Sequence, residues 1–210
     1  MNHVPRHGRL SFAQLALLAV LVPAAHAQDT RNVSEPMVTA ILAAPLATPA
    51  DGAAKASVTV VEYFDYECPV CRQLEPSLHQ LLAQRPGVRL IRKDWPIFGE
   101  ASEYAAYCSF AAARIGKYQA AHDALIASHR DLDSKTAVRA VLREAGFDAR
   151  QLDRDIEAHQ RTYAGILARN RDEAKSLGLH GTPGILVAHQ VLLGHVDLAG
   201  LKRLVDQAAH

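Results

Sequence analysis

The sequence predicts an α/β protein whose sheet is formed by two parts of the chain with a long helical region between them. A strand, a helix and a second strand follow one another within residues 57–93, the order of a βαβ crossover with parallel strands. An Ala-rich helical pattern then covers residues 100–177, followed by two short strands and a last helix. That length accommodates about four helices. We therefore expect a helical subdomain inserted at residues 100–178.

The first 27 residues have the pattern of a secretory signal peptide. Arg6 and Arg9 precede a mostly apolar run, Leu10 to Val22, and no acidic residue is present. Ala25-His26-Ala27 places small residues at both recognition positions of a cleavage site. The competing interpretation is an uncleaved membrane anchor, but the apolar run is short for a membrane span. We expect cleavage near Ala27 and an exported protein.

Charge and length after cleavage indicate one nearly neutral domain. The full chain has 210 residues and a net charge of +1. Loss of 27 residues would leave 183 residues and a net charge of −1. This balance argues against nucleic-acid and membrane-surface partners. The length suits a single domain with a substantial core.

Residues 28–57 are predicted to form an arm on a domain that covers residues 58–210. The arm is rich in Ala, Pro and Thr, and Pro36–Ala44 could form a short helix with Ser34 as its cap. Prolines and a glycine beyond it interrupt any regular element. The arm is too short to be a separate module.

A carboxylate interrupts the first apolar strand, which covers residues 57–64. Such a β-branched, apolar run is typical of a strand covered on both faces. Glu62 therefore lies either on an exposed edge or buried close to the segment that follows. Its apolar neighbours favour the buried position, where an acid can exchange a proton with a reacting group. Asp65 and Glu67, nearer the turn, are expected to be exposed tuners of that group.

Two cysteines stand where this strand passes into a helix. Unpaired N–H groups and the helix dipole favour a thiolate there, so Cys68 is predicted to be the attacking sulfur. Pro69 suits the first helical position. Cys71 lies one turn further on and could resolve a mixed disulfide. A zinc site and an inert bridge are the alternatives; zinc would need ligands that a chain with one further cysteine, Cys108, does not offer in pairs.

The remaining elements follow from apolar spacing and from helix breakers. Leucines in residues 74–82 continue the first helix, with a kink expected at Pro76, and residues 88–93 form the second strand. The helical region should break near Gly116, at residues 128–134 and at residues 146–148. Cys108, inside its first helix, is interpreted as a small buried core residue, the alternative being a reactive third thiol.

The last part of the chain contains a Thr-Pro step, two short strands and a helix. Thr182 and Pro183 precede strands at residues 185–188 and 191–193, with a turn of uncertain type at residues 188–190. Residues 197–208 form an amphipathic helix capped by Asp197.

Taken together, the CPVC motif at a helix start, the later Thr182-Pro183 and the helical block between them resemble the DsbA family of thioredoxin-fold thiol:disulfide oxidoreductases. The resemblance covers nearly all of the chain after the signal peptide. It implies a thioredoxin fold, βαβ plus ββα, with the helical insertion. It also implies a cis bond at Thr182-Pro183, facing the cysteines and binding extended substrate. The family's buried acid matches Glu62, with Lys93 as its charged neighbour.

The resemblance implies a periplasmic enzyme that introduces disulfides into unfolded or partly folded exported proteins. A membrane-bound redox partner would reset the cysteines; no cofactor is expected, and a monomer is expected. Pro69 and Val70 between the cysteines should tune the redox strength, and the dipeptide departs from the Pro-His of the strong oxidase. Thr182 also occurs before the proline in related reductases and isomerases.

Two other functions remain open. A reductase or isomerase would use the same cysteines in the opposite direction. A metal-handling protein would combine them with histidines, of which only His122 and His129 are spaced closely enough to consider, and that spacing is a poor match.

Overall fold

The computed structural model describes Met1 and residues 30–43 and 50–209. The predicted signal peptide and its cleavage site lie outside the described residues. None of the helices in the described part of the chain is long and apolar enough to cross a membrane.

Seven helices and six strands make up the described residues. In chain order they are β1 (Thr30–Asn32), α1 (Glu35–Ala43), β2 (Asp51–Gly52), β3 (Val58–Phe64), α2 (Pro69–Gln84), β4 (Val88–Asp94), α3 (Glu100–Arg114), α4 (Tyr118–Ile126), α5 (Lys135–Glu144), α6 (Ala149–Ser176), β5 (Gly184–Val187), β6 (Gln190–Leu193) and α7 (Leu198–Ala208).

One mixed sheet joins both halves of the chain, with the strand order β1-β6-β5-β3-β4-β2. Strands β3 and β4, which precede and follow α2 in the chain, pair in parallel within the sheet, as the βαβ pattern predicts. Strands β5 and β6 form an antiparallel hairpin, and β5 pairs with β3. The thioredoxin fold with its βαβ and ββα units is therefore confirmed, and β3 is central with apolar side chains on both faces.

Each face of the sheet is covered by helices. One core joins α2 and α7 to the sheet through aliphatic side chains such as Val60, Leu78 and Leu201. On the other face, Val38 and Ile41 of α1 pack with Tyr63 of β3 and with the end of α6 at Leu177. The segment before β3 also supplies both outer strands, since β1 pairs with β6 and β2 pairs with β4.

The four helices α3 to α6 form the helical subdomain between β4 and β5. Their breaks fall where the sequence predicts them, at Gly116, at residues 127–134 and at Gly146. The largest buried cluster of this subdomain includes Cys108 and Leu142, and it also contains Cys68 and Cys71. The subdomain therefore packs directly against the predicted redox pair.

The structure differs from the sequence prediction in the late hairpin. The strands are Gly184–Val187 and Gln190–Leu193, so the turn consists of residues 188 and 189 alone. Ala188 adopts a φ of 49°, a left-handed conformation that a turn so short demands. Sequence reasoning missed it because alanine seldom occupies that region.

Candidate active site

The first functional group lies at the start of α2, where Cys68 is the N-cap residue. Its φ and ψ, −69° and 115°, are extended, and its Sγ accepts a hydrogen bond from the Cys71 N–H at 3.4 Å. A sulfur thus occupies the place of the usual oxygen cap and faces the unpaired N–H groups of the first turn. Pro69 fills the first helical position and is exposed, whereas Val70 is half-buried against the helical subdomain.

The two sulfurs of this short loop differ strongly in acidity. A hydrogen bond from the Cys71 thiol, with help from the N–H groups of the first turn, lowers the pKa of Cys68 to about 6, although burial opposes this. Burial raises the pKa of Cys71 far above its usual value, and the charges of Glu62 and Cys68 add to the effect. At neutral pH Cys68 is a thiolate and Cys71 keeps its proton.

The predicted proline loop lies opposite Cys68. The Thr182-Pro183 peptide bond is cis, as the sequence resemblance implies, and the Cys68 Sγ lies 3.3 Å from the Thr182 carbonyl oxygen. The Pro183 carbonyl accepts a hydrogen bond from the Gly194 N–H at 2.8 Å, which ties the loop to the end of β6. The Thr182 carbonyl therefore borders the sulfur on this side, and the nearby Thr182 side chain also lowers the pKa of Cys68.

Glu62 is buried below the cysteine pair, as the sequence favours. It is 1% exposed, and neither carboxylate oxygen has a hydrogen-bond partner among the described residues. Burial raises its pKa well above the usual value, the Glu75 charge raises it further, and Arg92 acts in the opposite direction. Burial therefore favours the protonated form of Glu62, the form that can donate a proton.

The charged neighbour of Glu62 is Arg92, so the expected role of Lys93 is wrong. In the parallel register Glu62 pairs with Arg92, and the Arg92 Nε lies 3.9 Å from Glu62 Oε2. Adjacent residues of a strand point to opposite faces, and Lys93 accordingly contacts Glu173 of α6 on the other side of the sheet. If the register between β3 and β4 had been known, the alternation of side chains along a strand would have identified Arg92.

A buried polar network that the sequence analysis missed surrounds Arg92. Its guanidinium donates to Glu75 of α2 and to Asp51 of β2. Although burial opposes it, the nearby His122 ring and the charge of Arg92 lower the pKa of Glu75 to about 2. His122, from α4, also contacts the Tyr66 hydroxyl at 3.1 Å. The available sequence signal was a glutamate at a core-facing position of an amphipathic helix.

Asp65 is buried, so its expected exposure is wrong. Its carboxylate accepts hydrogen bonds from the backbone N–H groups of Glu67, Ile97 and Phe98 and from the Ser102 hydroxyl. Its carbonyl oxygen accepts from the Cys68 N–H at 3.1 Å. These donors replace water, which is why a carboxylate is tolerated here. Asp65 thereby fixes the 95–99 loop beside the cysteine pair.

The remaining candidate groups are Cys108 and two histidines. Cys108 is buried, as predicted, and burial raises its pKa to about 12. His122 belongs to the core network, whereas His129 is exposed. Within residues 30–43 and 50–209, no group of three or more His, Cys, Asp or Glu side chains is arranged to hold a metal ion.

Comparison with solved structures finds the same architecture in redox proteins. A thioredoxin-like oxidoreductase from Silicibacter pomeroyi DSS-3 superposes with a TM-score of 0.75 and 35% sequence identity, over 84% of this chain and 98% of that one. The thiol-disulfide exchange protein alpha-DsbA2 from Wolbachia pipientis gives a TM-score of 0.70 and 27% identity, over 77% and 87% of the two chains.

Comparison with curated proteins finds a similar stretch within a much longer protein. The Na(+)/H(+) antiporter NhaA 3 of Salinispora tropica is 32% identical over 202 residues, a match that covers 91% of this chain and 29% of that protein. The chain thus spans less than a third of the length of this relative.

A sequence model of one domain family accounts for most of the described structure. The DSBA-like thioredoxin domain matches residues 59–206, a range that extends from β3 to α7 and includes the cysteine pair, the helical subdomain and the cis proline. The chain therefore belongs to the DSBA-like thioredoxin domain family.

Proposed function

We propose that this protein introduces disulfides into exported proteins by thiol–disulfide exchange through Cys68 and Cys71. The observation that carries the proposal is the opposite shift of two sulfurs in one short loop, because the pKa of Cys68 is lowered to about 6 and that of Cys71 is raised by burial. A stabilised Cys68 thiolate favours the reduced enzyme. The disulfide of such a pair is a strong oxidant.

The reaction begins with the oxidised pair. A substrate thiolate attacks Cys68 Sγ, a new S–S bond forms between them, and the Cys68–Cys71 bond breaks with its electron pair on Cys71. Glu62, buried and protonated, supplies the proton that this leaving sulfur takes. A second substrate thiolate then attacks the substrate sulfur of the mixed disulfide and releases Cys68 as thiolate. The substrate has lost two electrons and the enzyme has gained them.

Thr182 and Pro183 bind the substrate in this proposal. Their backbone borders Cys68 on one side, and an extended chain can pair with such a backbone edge. The exposed Pro69 and the half-buried Val70 lie beside the attacking sulfur and tune its redox strength. A membrane-bound partner reoxidises the pair, and the protein acts as an exported monomer after cleavage near Ala27.

Cysteine variants test the chemistry. Cys68→Ser should abolish oxidative refolding of a reduced, unfolded protein substrate. Cys71→Ser, mixed with a substrate that already contains a disulfide, should accumulate a mixed disulfide through Cys68 as a substrate thiolate leaves, and a reductant should release it. Cys108→Ser is the matched control and should retain full activity, because that thiol is buried in the helical subdomain. Refolding activity retained by Cys68→Ser would refute the proposal.

The direction of exchange needs a separate measurement. Acid trapping of the thiols in the exported protein should find Cys68 and Cys71 mainly oxidised, and equilibration with glutathione should give an oxidising potential. A pair found mainly reduced at steady state would favour the alternative, a reductase or isomerase of the same fold.

A further inference from the structure

A histidine of the helical subdomain reaches the buried charges beneath the cysteine pair. His122 lies in the middle of α4 and is fully buried. Its ring packs against the rings of Phe64, Tyr66 and Tyr118, with centroid separations of 5.4 to 5.6 Å. None of the steps proposed above uses it, although a buried imidazole is costly unless its two nitrogens are placed against polar groups.

The contacts of His122 define its orientation. Burial raises the pKa of Tyr66, so its hydroxyl keeps its proton, and it lies 3.1 Å from His122 Nδ1. Burial also lowers the pKa of His122, so the ring is neutral and carries one proton. The tautomer with that proton on Nε2 suits both neighbours, because Nδ1 can then accept from the hydroxyl and Nε2 faces a carboxylate, which only accepts. Nε2 lies 3.4 Å from Glu75 Oε1, within ion-pair distance but outside hydrogen-bond geometry. A neutral donor thus faces one oxygen of the Glu75 carboxylate.

The same oxygen of Glu75 contacts Arg92, and this contact decides what Arg92 can do for Glu62. Arg92 donates to Glu75 and to Asp51, while its Nε stays 3.9 Å from Glu62. One guanidinium therefore donates to two acids, Glu75 and Asp51, and makes no hydrogen bond with the third, Glu62. Glu62 is left without a hydrogen-bond partner among the described residues.

The Glu75 carboxylate also borders solvent on the side away from Arg92. Its other oxygen, Oε2, has no hydrogen-bond partner among the described residues. The side chain borders an open cleft of about 630 Å³ between α2 and α4. His79, half-exposed, lies 2.9 Å from Glu75 Oε1 on this side. Without His122, the Glu75 carboxylate would therefore keep a partner on the solvent side of the cleft, which can draw it away from Arg92.

We propose that His122 is a positioning residue, which holds the Glu75 carboxylate on Arg92 and thereby keeps Glu62 protonated for exchange with Cys71. The inference rests on the proposed function in one respect, because it takes Cys71 as the sulfur that receives the proton. The helical subdomain thus sets the proton affinity of a group on the central strand of the sheet.

The charged and titratable groups that face Glu62 belong to two elements, α2 and β4, and to the two cysteines. Glu75 on α2 raises its pKa and Arg92 on β4 lowers it, while Cys68 and Asp94 raise it. Asp94 is itself buried, which raises its pKa to about 8, and Cys71 is affected by Glu62 in turn. If Glu75 moves away, a negative neighbour is lost and Arg92 becomes free to approach. Both changes lower the pKa of Glu62.

The test is a carboxyl carbon-13 NMR titration of the oxidised full chain, with the Glu62 signal assigned by its absence in Glu62→Gln. His122→Phe keeps a ring but removes both nitrogens and should move the Glu62 titration to lower pH by about one unit, the size expected for one nearby charge. His122→Gln keeps a donor and an acceptor and should restore most of the original titration. An unchanged or higher Glu62 titration in His122→Phe would overturn the proposal.

Controls separate this effect from simple damage to the fold. His159→Phe changes a histidine of α6 that contacts Asp155, and it should leave the Glu62 titration in place. Tyr66→Phe removes one hydroxyl and should give a smaller shift in the same direction, so it replaces His122→Phe if that variant does not fold. No shift in Tyr66→Phe would then count against the proposal.

The failure of this inference is distinguishable from failure of the proposed function. If the wild-type protein catalyses disulfide exchange but the Glu62 titration is unchanged in His122→Phe, the inference fails and the proposed function stands. Absence of exchange by the wild-type protein would sink the proposed function, whatever the titration shows.

Discussion

At the scale of single residues, acidity in this site follows from which groups a side chain faces. Cys68 caps a helix and receives hydrogen bonds, so its pKa is lowered to about 6. Cys71, three residues later, is fully buried beside an acid, so its pKa is raised. The sequence alone predicts this difference, because the position of a CxxC pair at a strand-to-helix junction determines which sulfur sees the helix end.

The pH dependence of alkylation tests this difference. Iodoacetamide should modify Cys68 of the reduced protein with a rate that reaches half its plateau near pH 6, since the thiolate persists above a lowered pKa and is lost below it. Cys71 and Cys108 keep their protons because burial raises the pKa of each. Peptide mass mapping after brief labelling at pH 7 should therefore find one modified cysteine. Half-maximal labelling near pH 8.5, the value for a free thiol, would contradict the structure.

The sequence could not predict the charges that surround Glu62. Whether Arg92 or Lys93 shares its face depends on the register between β3 and β4, and a shift of one residue exchanges the two. Glu75 and His122 come from two different helices, and their meeting depends on how the helical subdomain docks on α2. Local pattern contains no information on that docking.

At the scale of elements, periodicity and breakers located the described helices and the strands β3 to β6, whereas the short strands β1 and β2 were missed. The Asp197 side chain caps α7 through the Gly200 N–H, as predicted. Pro76, where the sequence predicts a kink, lies inside α2, and the helix continues beyond it to Gln84. The sequence prediction starts both strands of the late hairpin one residue too late, because the turn contains no glycine that would mark its position.

Two glycines of the helical subdomain should respond to the same substitution with opposite sign. Gly165 lies in the exposed interior of α6, and a Cβ there meets no atom within 4 Å. Gly165→Ala should raise the free energy of unfolding by roughly 0.5–1 kcal/mol through helix propensity. Gly116 ends α3 with a φ of 71°, also in open space. Gly116→Ala should lower the free energy of unfolding by roughly 1 kcal/mol because alanine is strained there.

Urea denaturation of the reduced protein measures both changes. Since neither added methyl group meets another atom, crowding cannot produce the difference, and the backbone conformation alone accounts for it. Equal effects of the two substitutions would show that the end of α3 is not held as described.

At the scale of the whole molecule, the segment before β3 contributes to the core as well as to the surface. Val38 and Ile41 of α1 are buried with Tyr63 and Leu177, whereas Leu42 is 40% exposed. Residues 30–43 therefore pack as an integral layer over one face of the sheet. The sequence indicates an arm that lies on the domain, but it does not show which face the arm covers.

A pair of adjacent substitutions measures this contribution. Ile41→Ala removes a buried side chain and should lower the free energy of unfolding by roughly 2–4 kcal/mol. Leu42→Ala, in the same helical turn, should change it by less than about 0.5 kcal/mol. Thermal melting of the two variants provides the comparison, and a similar melting temperature for both would indicate that α1 does not pack against the sheet.

The pairing of β1 and β2 at the two edges of the sheet has a consequence for the proposed function. Long exposed edge strands can pair with other polypeptides and promote aggregation. Here the outermost strands contain only three and two residues. Under the proposed function, a substrate bound through a mixed disulfide would therefore find little edge in β1 or β2 with which to form a ladder.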